Sequence, residues 1–142
     1  MTAAVLVGCS SAPEPIPSDS PSPEPDADAQ VRARVGLDEI AIIALYDAVM
    51  AAHPDLSADL MPLRDEHAEH RDAVGDASAT TSPAPAVGTR PQAIAALIEA
   101  EQRAVAERTT ACEAAAGTDV ARLVALIAAS EAGHAEFLRG LA

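Results

Sequence analysis

Four segments of the chain carry apolar residues at alternating steps of three and four positions, and this periodicity constrains the fold more than any other feature. It is the pattern of an amphipathic helix, and strand-like alternation is absent from the same segments. Proline or glycine follows the first, second and third segments, as is typical at helix ends. The predicted helices cover residues 35–53, 57–74, 91–115 and 118–141. We therefore predict an all-α fold, a bundle of four helices.

Small aliphatic side chains have to form the core of this bundle. Apolar residues make up 49% of the chain, but only Tyr46 and Phe137 are aromatic. Alanine, leucine, isoleucine and valine suit helices that pack closely. On the third helix the predicted inward stripe consists of Ile94, Ile98, Glu101, Val105, Arg108 and Cys112. Roughly 110 residues remain after the proline-rich front end, which is enough for one modest core.

The lengths of the connections predict how the helices are joined. Only residues 54–56 separate the first helix from the second, and only residues 116–117 separate the third from the fourth. Each pair should therefore form an antiparallel hairpin. Residues 76–90 are rich in proline, serine and threonine and predict a linker between the hairpins. This linker is long enough to cross the bundle at about 3.3 Å per residue.

Ionisable residues interrupt the apolar stripe of every predicted helix. Burying unpaired charge is expensive, so these residues need partners, and a shared metal ion is one way to supply them. The candidate ligands are Glu39, His67, His70, Glu101, Glu131 and His134. Two alternatives stay open: Arg108 could neutralise a buried Glu by ion pairing, and Glu66 could pair with His70 on an exposed helix face.

The positions of the candidate ligands along their helices place them at one level of the bundle. In the first hairpin Glu39 lies 14 residues before the end of its helix, and His70 lies 13 residues after the start of the next. In the second hairpin Glu101 and Glu131 repeat these spacings. If the second and third helices were antiparallel, His70 and Glu101 would be mismatched by about 9 Å along the axis. A crossover linker makes the two helices parallel and brings these residues level, so the heights favour it.

A bundle of two hairpins with a crossover, carrying Glu, a ligand pair, Glu and E-x-x-H in that order, resembles the ferritin-like superfamily. Its di-iron and di-manganese members use one Glu from each of two helices and an E-x-x-H pair from each of the others. The resemblance covers residues 35–142: Glu39 and Glu101 match the single carboxylates, and Glu131 with His134 matches the E-x-x-H pair. It implies iron or manganese in the bundle core.

The second helix departs from the family pattern. His67 stands where the family has a bridging Glu, and His70 follows three residues later. The resulting set of three carboxylates and three imidazoles is closer to a mononuclear or zinc-tolerant site than to one for two hard ferric ions. A register adjustment at Pro62 could instead turn Glu66 inward. The resemblance thus leaves the metal open, with zinc less favoured than iron or manganese.

The front end of the chain predicts a lipid anchor. Residues 1–9 indicate a partial signal peptide, in which LVGC, Leu6 to Cys9, resembles the lipobox of bacterial lipoproteins. The apolar segment is short, so we expect the true start to lie upstream. Residues 10–34 alternate proline with serine and acids and predict a disordered tether. With the phrases DEHAEH and ASEAGHAEFL, this front end resembles actinobacterial lipoproteins with ferritin-like domains.

The charge of the chain argues against nucleic acid as a partner. Twenty-two acids face nine arginines and no lysine, for a formal charge of -13, which repels phosphates and anionic lipid headgroups. No apolar run reaches the eighteen or so residues that span a bilayer. We expect attachment to the extracytoplasmic face of the cell membrane through acylated Cys9. A second copy of the chain or an envelope protein is the expected protein partner.

Two functions of different classes are compatible with these features. The first is an envelope-anchored lipoprotein whose ferritin-like bundle binds iron or manganese through the six candidate ligands. The second is a non-enzymatic structural or partner-binding lipoprotein whose bundle binds no metal. No serine or cysteine stands beside a histidine in a recognisable catalytic arrangement, so the sequence assigns no reaction.

Overall fold

The computed structural model describes residues 26–75 and 85–142, and this part of the chain is helical, with no strand. Its α-helices are α1 (Ala27–Ala52), α2 (Ser57–Val74), α3 (Arg90–Ala114) and α4 (Thr118–Arg139). A 3-10 helix, Pro54–Leu56, joins α1 to α2. The predicted all-α fold with four helices is confirmed. The LVGC motif with Cys9, the tether up to residue 25 and linker residues 76–84 lie outside the described residues.

The first helix begins earlier than its apolar pattern indicates. It starts at Ala27, so the prediction that the tether extends to residue 34 is wrong for residues 27–34. The Asp26 side chain caps the helix by accepting a hydrogen bond from the N–H two residues on, at 3.2 Å. Val31, only 7% exposed, packs into the core. The cap at Asp26 and the buried Val31 thus stabilise the first part of α1, although this segment contains few apolar residues.

Asp28 ties this early part of α1 to the turn between α3 and α4. Its Oδ1 accepts hydrogen bonds from the backbone N–H groups of Ala116 and Gly117, at 2.8 and 3.1 Å. These N–H groups precede the first residue of α4, where no helical carbonyl is available to them. The start of α1 is therefore part of the bundle and stabilises the second hairpin.

Both predicted hairpins form. Arg64 on α2 donates to Asp47 on α1 at 3.0 Å, and further along α2 His67 contacts Glu39, so α1 and α2 run antiparallel. The helix α2 begins at Ser57 and continues through Pro62, which therefore does not mark its start. In the second hairpin α3 and α4 pack along their lengths across a short turn.

The two hairpins pack side by side, α1 against α3 and α2 against α4. Asp38 on α1 contacts Arg108, and later along α1 Tyr46 contacts Glu101. Residue numbers thus rise on α1 as they fall on α3, so these helices are antiparallel. Because α1 is also antiparallel to α2, helices α2 and α3 run in the same direction.

The described ends of the linker lie at opposite ends of the bundle. Val74, at the end of α2, belongs to the same apolar cluster as Val31 and Val120. The carbonyl oxygen of Gly88, just before α3, lies 3.0 Å from Nε2 of His53 at the other end of α1. The connection between α2 and α3 therefore crosses the length of the bundle, as the matched heights predict.

Two apolar clusters fill the ends of the bundle and leave a polar layer between them. The cluster near the α1–α2 turn consists of Ile42, Tyr46, Val49, Leu56, Leu60, Leu63, Ala93, Ile94, Leu97, Ala104 and Leu138. The cluster near the α3–α4 turn consists of Val31, Val35, Val74, Ala111, Val120, Val124 and Ile127. Along each helix the candidate ligands fall between members of the two clusters, so apolar side chains enclose the polar layer from both ends. None of the described helices is long and apolar enough to cross a membrane.

Candidate metal centre

The structure brings all six predicted ligands into the polar layer. The residues share deep burial, and we call them the His/Glu cluster: Glu39, His67, His70, Glu101, Glu131 and His134. Glu39, His67, Glu101 and Glu131 are 0% exposed, and His134 is 6% exposed. The side chain of His70 is 15% exposed. The predicted common level on four helices is thus observed, and metal binding by these residues stays a prediction.

His67 joins two carboxylates from different helices. Its Nδ1 donates to Glu39 Oε2 at 2.8 Å, and its Nε2 donates to Glu101 Oε1 at 2.9 Å. Burial lowers the pKa of His67, but hydrogen bonds to Glu101 and Glu39 outweigh it and raise the pKa to about 9. Both ring nitrogens therefore carry protons at neutral pH, and the imidazolium places one positive charge between the two carboxylates.

Three side chains, His67, Tyr46 and His134, approach Oε1 of Glu101. The Tyr46 hydroxyl donates to Oε1 at 2.5 Å, and Nδ1 of His134 lies 3.6 Å from the same oxygen. Burial raises the pKa of Glu101, but contacts with His134, His67 and Tyr46 outweigh it and lower the pKa to about 2. Burial together with the neighbouring Glu101 charge raises the pKa of Tyr46. Glu101 is therefore an ionised carboxylate, and Tyr46 is a neutral donor to it.

Arg108 supplies a second buried cation. Its NH2 donates to Glu39 Oε1 at 3.3 Å, and its NH1 donates to Asp38 Oδ2 at 3.0 Å. The same NH2 lies 3.3 Å from Glu131 Oε1, as an ion pair without hydrogen-bond geometry. The alternative that Arg108 neutralises a buried Glu by ion pairing is confirmed for Glu39.

Glu131 has Arg108 as its ion-pair partner in the cluster. Within the described ranges neither of its carboxyl oxygens accepts a hydrogen bond. Burial raises the pKa of Glu131 to about 8, against the lowering effect of Arg108. With Glu131 protonated, two buried cations, Arg108 and His67, face the carboxylates of Glu39 and Glu101.

Glu66 reaches the cluster from the surface. Its side chain is 51% exposed, and its Oε2 accepts from Nε2 of His134 at 3.0 Å and from the Ser130 hydroxyl at 2.9 Å. The hydrogen bond with His134 lowers the pKa of Glu66. The register alternative that turns Glu66 inward is wrong, because His67 is the fully buried residue. The exposed pairing of Glu66 with His70 is also wrong, since Nδ1 of His70 faces Glu39 at 3.8 Å.

Sequence reasoning missed the supporting roles of four residues. Tyr46 lies on a predicted core stripe, and Glu66 was considered only as a ligand or as a partner of His70. Asp38 and Ser130 each lie one position from a candidate ligand, and no sequence pattern distinguishes them from other surface polar residues. Their hydrogen bonds depend on which neighbouring helix each side chain meets, so a helical period alone does not reveal them.

Two groups of side chains have the composition and spacing of a metal site. We call Glu39, His67 and His70 the Glu39 group, and His67, Glu101 and His134 the Glu101 group. Within each group one potential ligand atom per residue lies within 4.8 Å of the others. Each group offers two imidazoles and one carboxylate, a ligand set that suits divalent transition metals with open coordination positions. His67 belongs to both groups because its two nitrogens face opposite ways.

Several buried polar atoms of the cluster have no hydrogen-bond partner among residues 26–75 and 85–142. They are Nδ1 of His70, Nδ1 of His134, Oε2 of Glu101, both Glu131 carboxyl oxygens and Nε of Arg108. Buried polar groups without partners are rare and costly. All but the arginine nitrogen are atoms that coordinate cations, so the residues present fit a bound metal ion.

Comparisons with known proteins give no relative for this chain, since no protein-family model, curated protein or solved structure matches it. Function has to be inferred from the chemistry of the cluster and from the arrangement of the helices that hold it.

Proposed function

We propose that the chain is an envelope-anchored protein of ferritin-like type that binds a divalent metal ion in the core of its bundle. One observation carries the proposal: three imidazoles and three carboxyl groups from four helices meet in a buried layer, where potential ligand atoms lack partners. A cation in this layer would bind oxygen and nitrogen atoms that have no hydrogen-bond partner among the described residues.

The arrangement of the helices supports the ferritin-like part of the proposal. Helices α1 and α3 each supply one glutamate, Glu39 and Glu101, whereas α2 and α4 each supply a pair three residues apart. The linker between the hairpins crosses the bundle. This matches the distribution of ligands in di-metal carboxylate bundles except at His67, where those proteins have a glutamate.

The donor set supports iron or manganese in the divalent state, with zinc as a further candidate. Imidazole and carboxylate together bind all three ions, and two imidazoles with one carboxylate are the ligand set of many non-haem Fe(II) sites. When bound, such an ion would supply Lewis acidity and, for iron or manganese, redox chemistry. The residues themselves would hold and orient it, and no reaction is assigned.

The location of the protein is proposed from its front end. Acylation of Cys9 would attach the bundle to the outer face of the cell membrane through a proline-rich tether. Full-length protein produced in a bacterium with lipoprotein processing should be found in the membrane fraction, and Cys9→Ser should move it to the soluble fraction. An unchanged distribution of Cys9→Ser would contradict the anchor.

Metal content tests the metal-binding function. The full chain is freed of metal with a chelator, loaded anaerobically with Fe(II), Mn(II) or Zn(II), desalted and measured by inductively coupled plasma mass spectrometry. We expect stoichiometric metal in the wild type and in His53→Ala, since His53 lies at the end of α1 outside the cluster. We expect its loss in His134→Ala. Absence of metal from the wild type under every loading would contradict the proposal.

A second candidate function has its own structural support. Arg108 and His67 already neutralise the carboxylates of Glu39 and Glu101 by direct ion pairs. A bundle with such a core could serve as a metal-free scaffold that binds an envelope protein or a second copy of the chain. The absence of metal from correctly folded wild-type protein would favour this candidate.

A further inference from the structure

We infer that the cluster binds one metal ion, through Nε2 of His67, a carboxylate oxygen of Glu101 and Nδ1 of His134, and that Glu39 orients His67 through its other ring nitrogen. This inference deepens the proposed function and rests on it. The resemblance to di-metal proteins makes all six residues of the His/Glu cluster metal ligands, whereas this inference makes only three of them ligands.

The first reason is the difference in unpaired ligand atoms between the two groups. Both carboxylate oxygens of Glu39 are occupied, Oε2 by His67 and Oε1 by Arg108. In the Glu101 group, Oε2 of Glu101 and Nδ1 of His134 have no hydrogen-bond partner in the described part of the chain, whereas in the Glu39 group this holds only for Nδ1 of His70. A metal ion at the Glu101 group would use these atoms directly, whereas one at the Glu39 group would first have to displace Arg108.

The second reason is the position of the arginine charge. The NH2 of Arg108 lies 3.3 Å from Glu39 Oε1 and 3.3 Å from Glu131 Oε1. A divalent ion bound to either carboxylate would face a permanent positive charge at short range in a buried site. The ion pairs of Arg108 among the described residues are with Asp38, Glu39 and Glu131, and Glu101 is not one of these partners. The guanidinium thus takes the place of a second metal ion.

The third reason is that each proposed histidine ligand contacts a carboxylate through the ring nitrogen that lies away from the metal position. Nδ1 of His67 donates to Glu39 at 2.8 Å, and Nε2 of His134 donates to Glu66 at 3.0 Å. The Tyr46 hydroxyl donates to Glu101 at 2.5 Å. Metal-bound histidines are commonly oriented by a carboxylate on the ring nitrogen away from the metal. The structure shows this pairing for both histidines of the Glu101 group.

An ion could reach the Glu101 group from the surface. Glu66 is half exposed and touches His134 directly. The Glu101 group therefore lies one side chain below the surface between α2 and α4, where movement of Glu66 would admit an ion. His70 and Glu131 complete the buried layer, and the inference gives neither a direct bond to the metal.

The experiment measures Zn(II) stoichiometry and affinity for the full-length chain and four variants, because zinc needs no control of oxidation state. His134→Ala and Glu101→Gln each remove a ligand of the Glu101 group. His70→Ala and Glu131→Gln are the matched changes in the same buried layer. Circular dichroism and thermal unfolding of the metal-free proteins confirm folding before zinc is added. Because there are two ligand variants and two control variants, the comparison remains possible if one variant of either kind fails to fold.

We expect one zinc ion per wild-type chain, retained in His70→Ala and Glu131→Gln within a few-fold in Kd. In His134→Ala and Glu101→Gln we expect Kd to rise at least about 100-fold. Two ions per wild-type chain would overturn the inference while leaving the proposed function intact, as would loss of zinc in His70→Ala with retention in His134→Ala. Absence of zinc, iron and manganese from the wild type would overturn both.

Discussion

Among the single residues, His67 has a large effect on protonation in the metal-free cluster. It is fully buried and hydrogen-bonded to two carboxylates, and its pKa is raised from the ordinary 6.5 to about 9. The folded state therefore holds this proton more tightly than the unfolded chain does. Metal bound at Nε2 would take the place of a proton in the contact with Glu101, so protons and metal compete for the same ring.

The raised pKa of His67 predicts a pH-dependent stability of the metal-free protein. The stabilisation is complete below the unfolded-state pKa near 6.5 and is lost as the pH rises through about 9. The raised pKa of Glu131 acts in the same direction up to about 8. We expect the free energy of unfolding, measured by denaturant titration with a chelator present, to fall by on the order of 2 kcal/mol from pH 6.5 to pH 9.

His53→Gln is the control for this measurement. His53 lies at the end of α1 and its ring contacts the Gly88 carbonyl, away from the cluster. The variant should show the same fall in stability with pH as the wild type. Stability that stays flat or rises between pH 6.5 and pH 9 would show that His67 does not carry its proton between the two carboxylates.

Glu66 is the residue whose role is least visible from sequence. It accepts hydrogen bonds from His134 and Ser130, although its side chain is half exposed. Glu66→Gln should weaken metal binding roughly 10-fold, because a neutral amide orients the His134 ring less strongly. The melting temperature of the metal-free protein should change little. Isothermal titration with Zn(II) measures the affinity, and Glu69→Gln, an exposed glutamate on the same helix, should match the wild type.

At the scale of helices, the apolar period predicts α2, α3 and α4 to within two residues at each end, whereas the start of α1 was predicted eight residues too late. Proline or glycine marks three of the predicted helix ends, which is why those boundaries are readable. The start of α1 depends on Asp26 as a cap and on Asp28, whose partners Ala116 and Gly117 are distant in sequence. A contact between residues so far apart in the chain leaves no recognisable pattern in the sequence around Asp28.

The inward face of α3 shows a second limit of the apolar period. Ala100, Ala104 and Ala111 are buried in the seam, and Ile98 and Val105 are only partly buried. Small alanines let α3 approach α1 and α4 closely. The residues of α3 that are buried are therefore those that face the neighbouring helices, and they are not always the most hydrophobic ones. Glu101 and Arg108 were placed correctly because they belong both to the predicted apolar face of α3 and to the face that is buried in the structure.

The contact of Asp28 with the second hairpin can be tested directly. Asp28→Ala removes acceptors for two backbone N–H groups before α4, so we expect it to destabilise the protein by about 1–2 kcal/mol. Glu99→Ala removes an exposed acid from the middle of α3 and should change stability by less than about 0.5 kcal/mol. Denaturant unfolding measures both. Equal effects of the two substitutions would contradict a structural role for residues 27–34.

At the scale of the whole molecule, the common level of the six cluster residues was readable from sequence because helical rise is constant and the hairpin turns are short. The same arithmetic predicted the crossover between α2 and α3. Which donor meets which acceptor was not readable. Arg108 could have paired with Glu101 on its own helix, and its pairing with Glu39 and Glu131 depends on how closely α3 approaches α1 and α4.

We infer that the buried layer holds a metal ion at the Glu101 group, and anomalous X-ray diffraction would locate this ion. Crystals of zinc-loaded protein would be measured on both sides of the zinc absorption edge. We expect one anomalous peak in the bundle core, bonded to His67, Glu101 and His134, with Arg108 still paired to Glu39. A core without a peak, or a peak between Glu39 and His70, would contradict the claim.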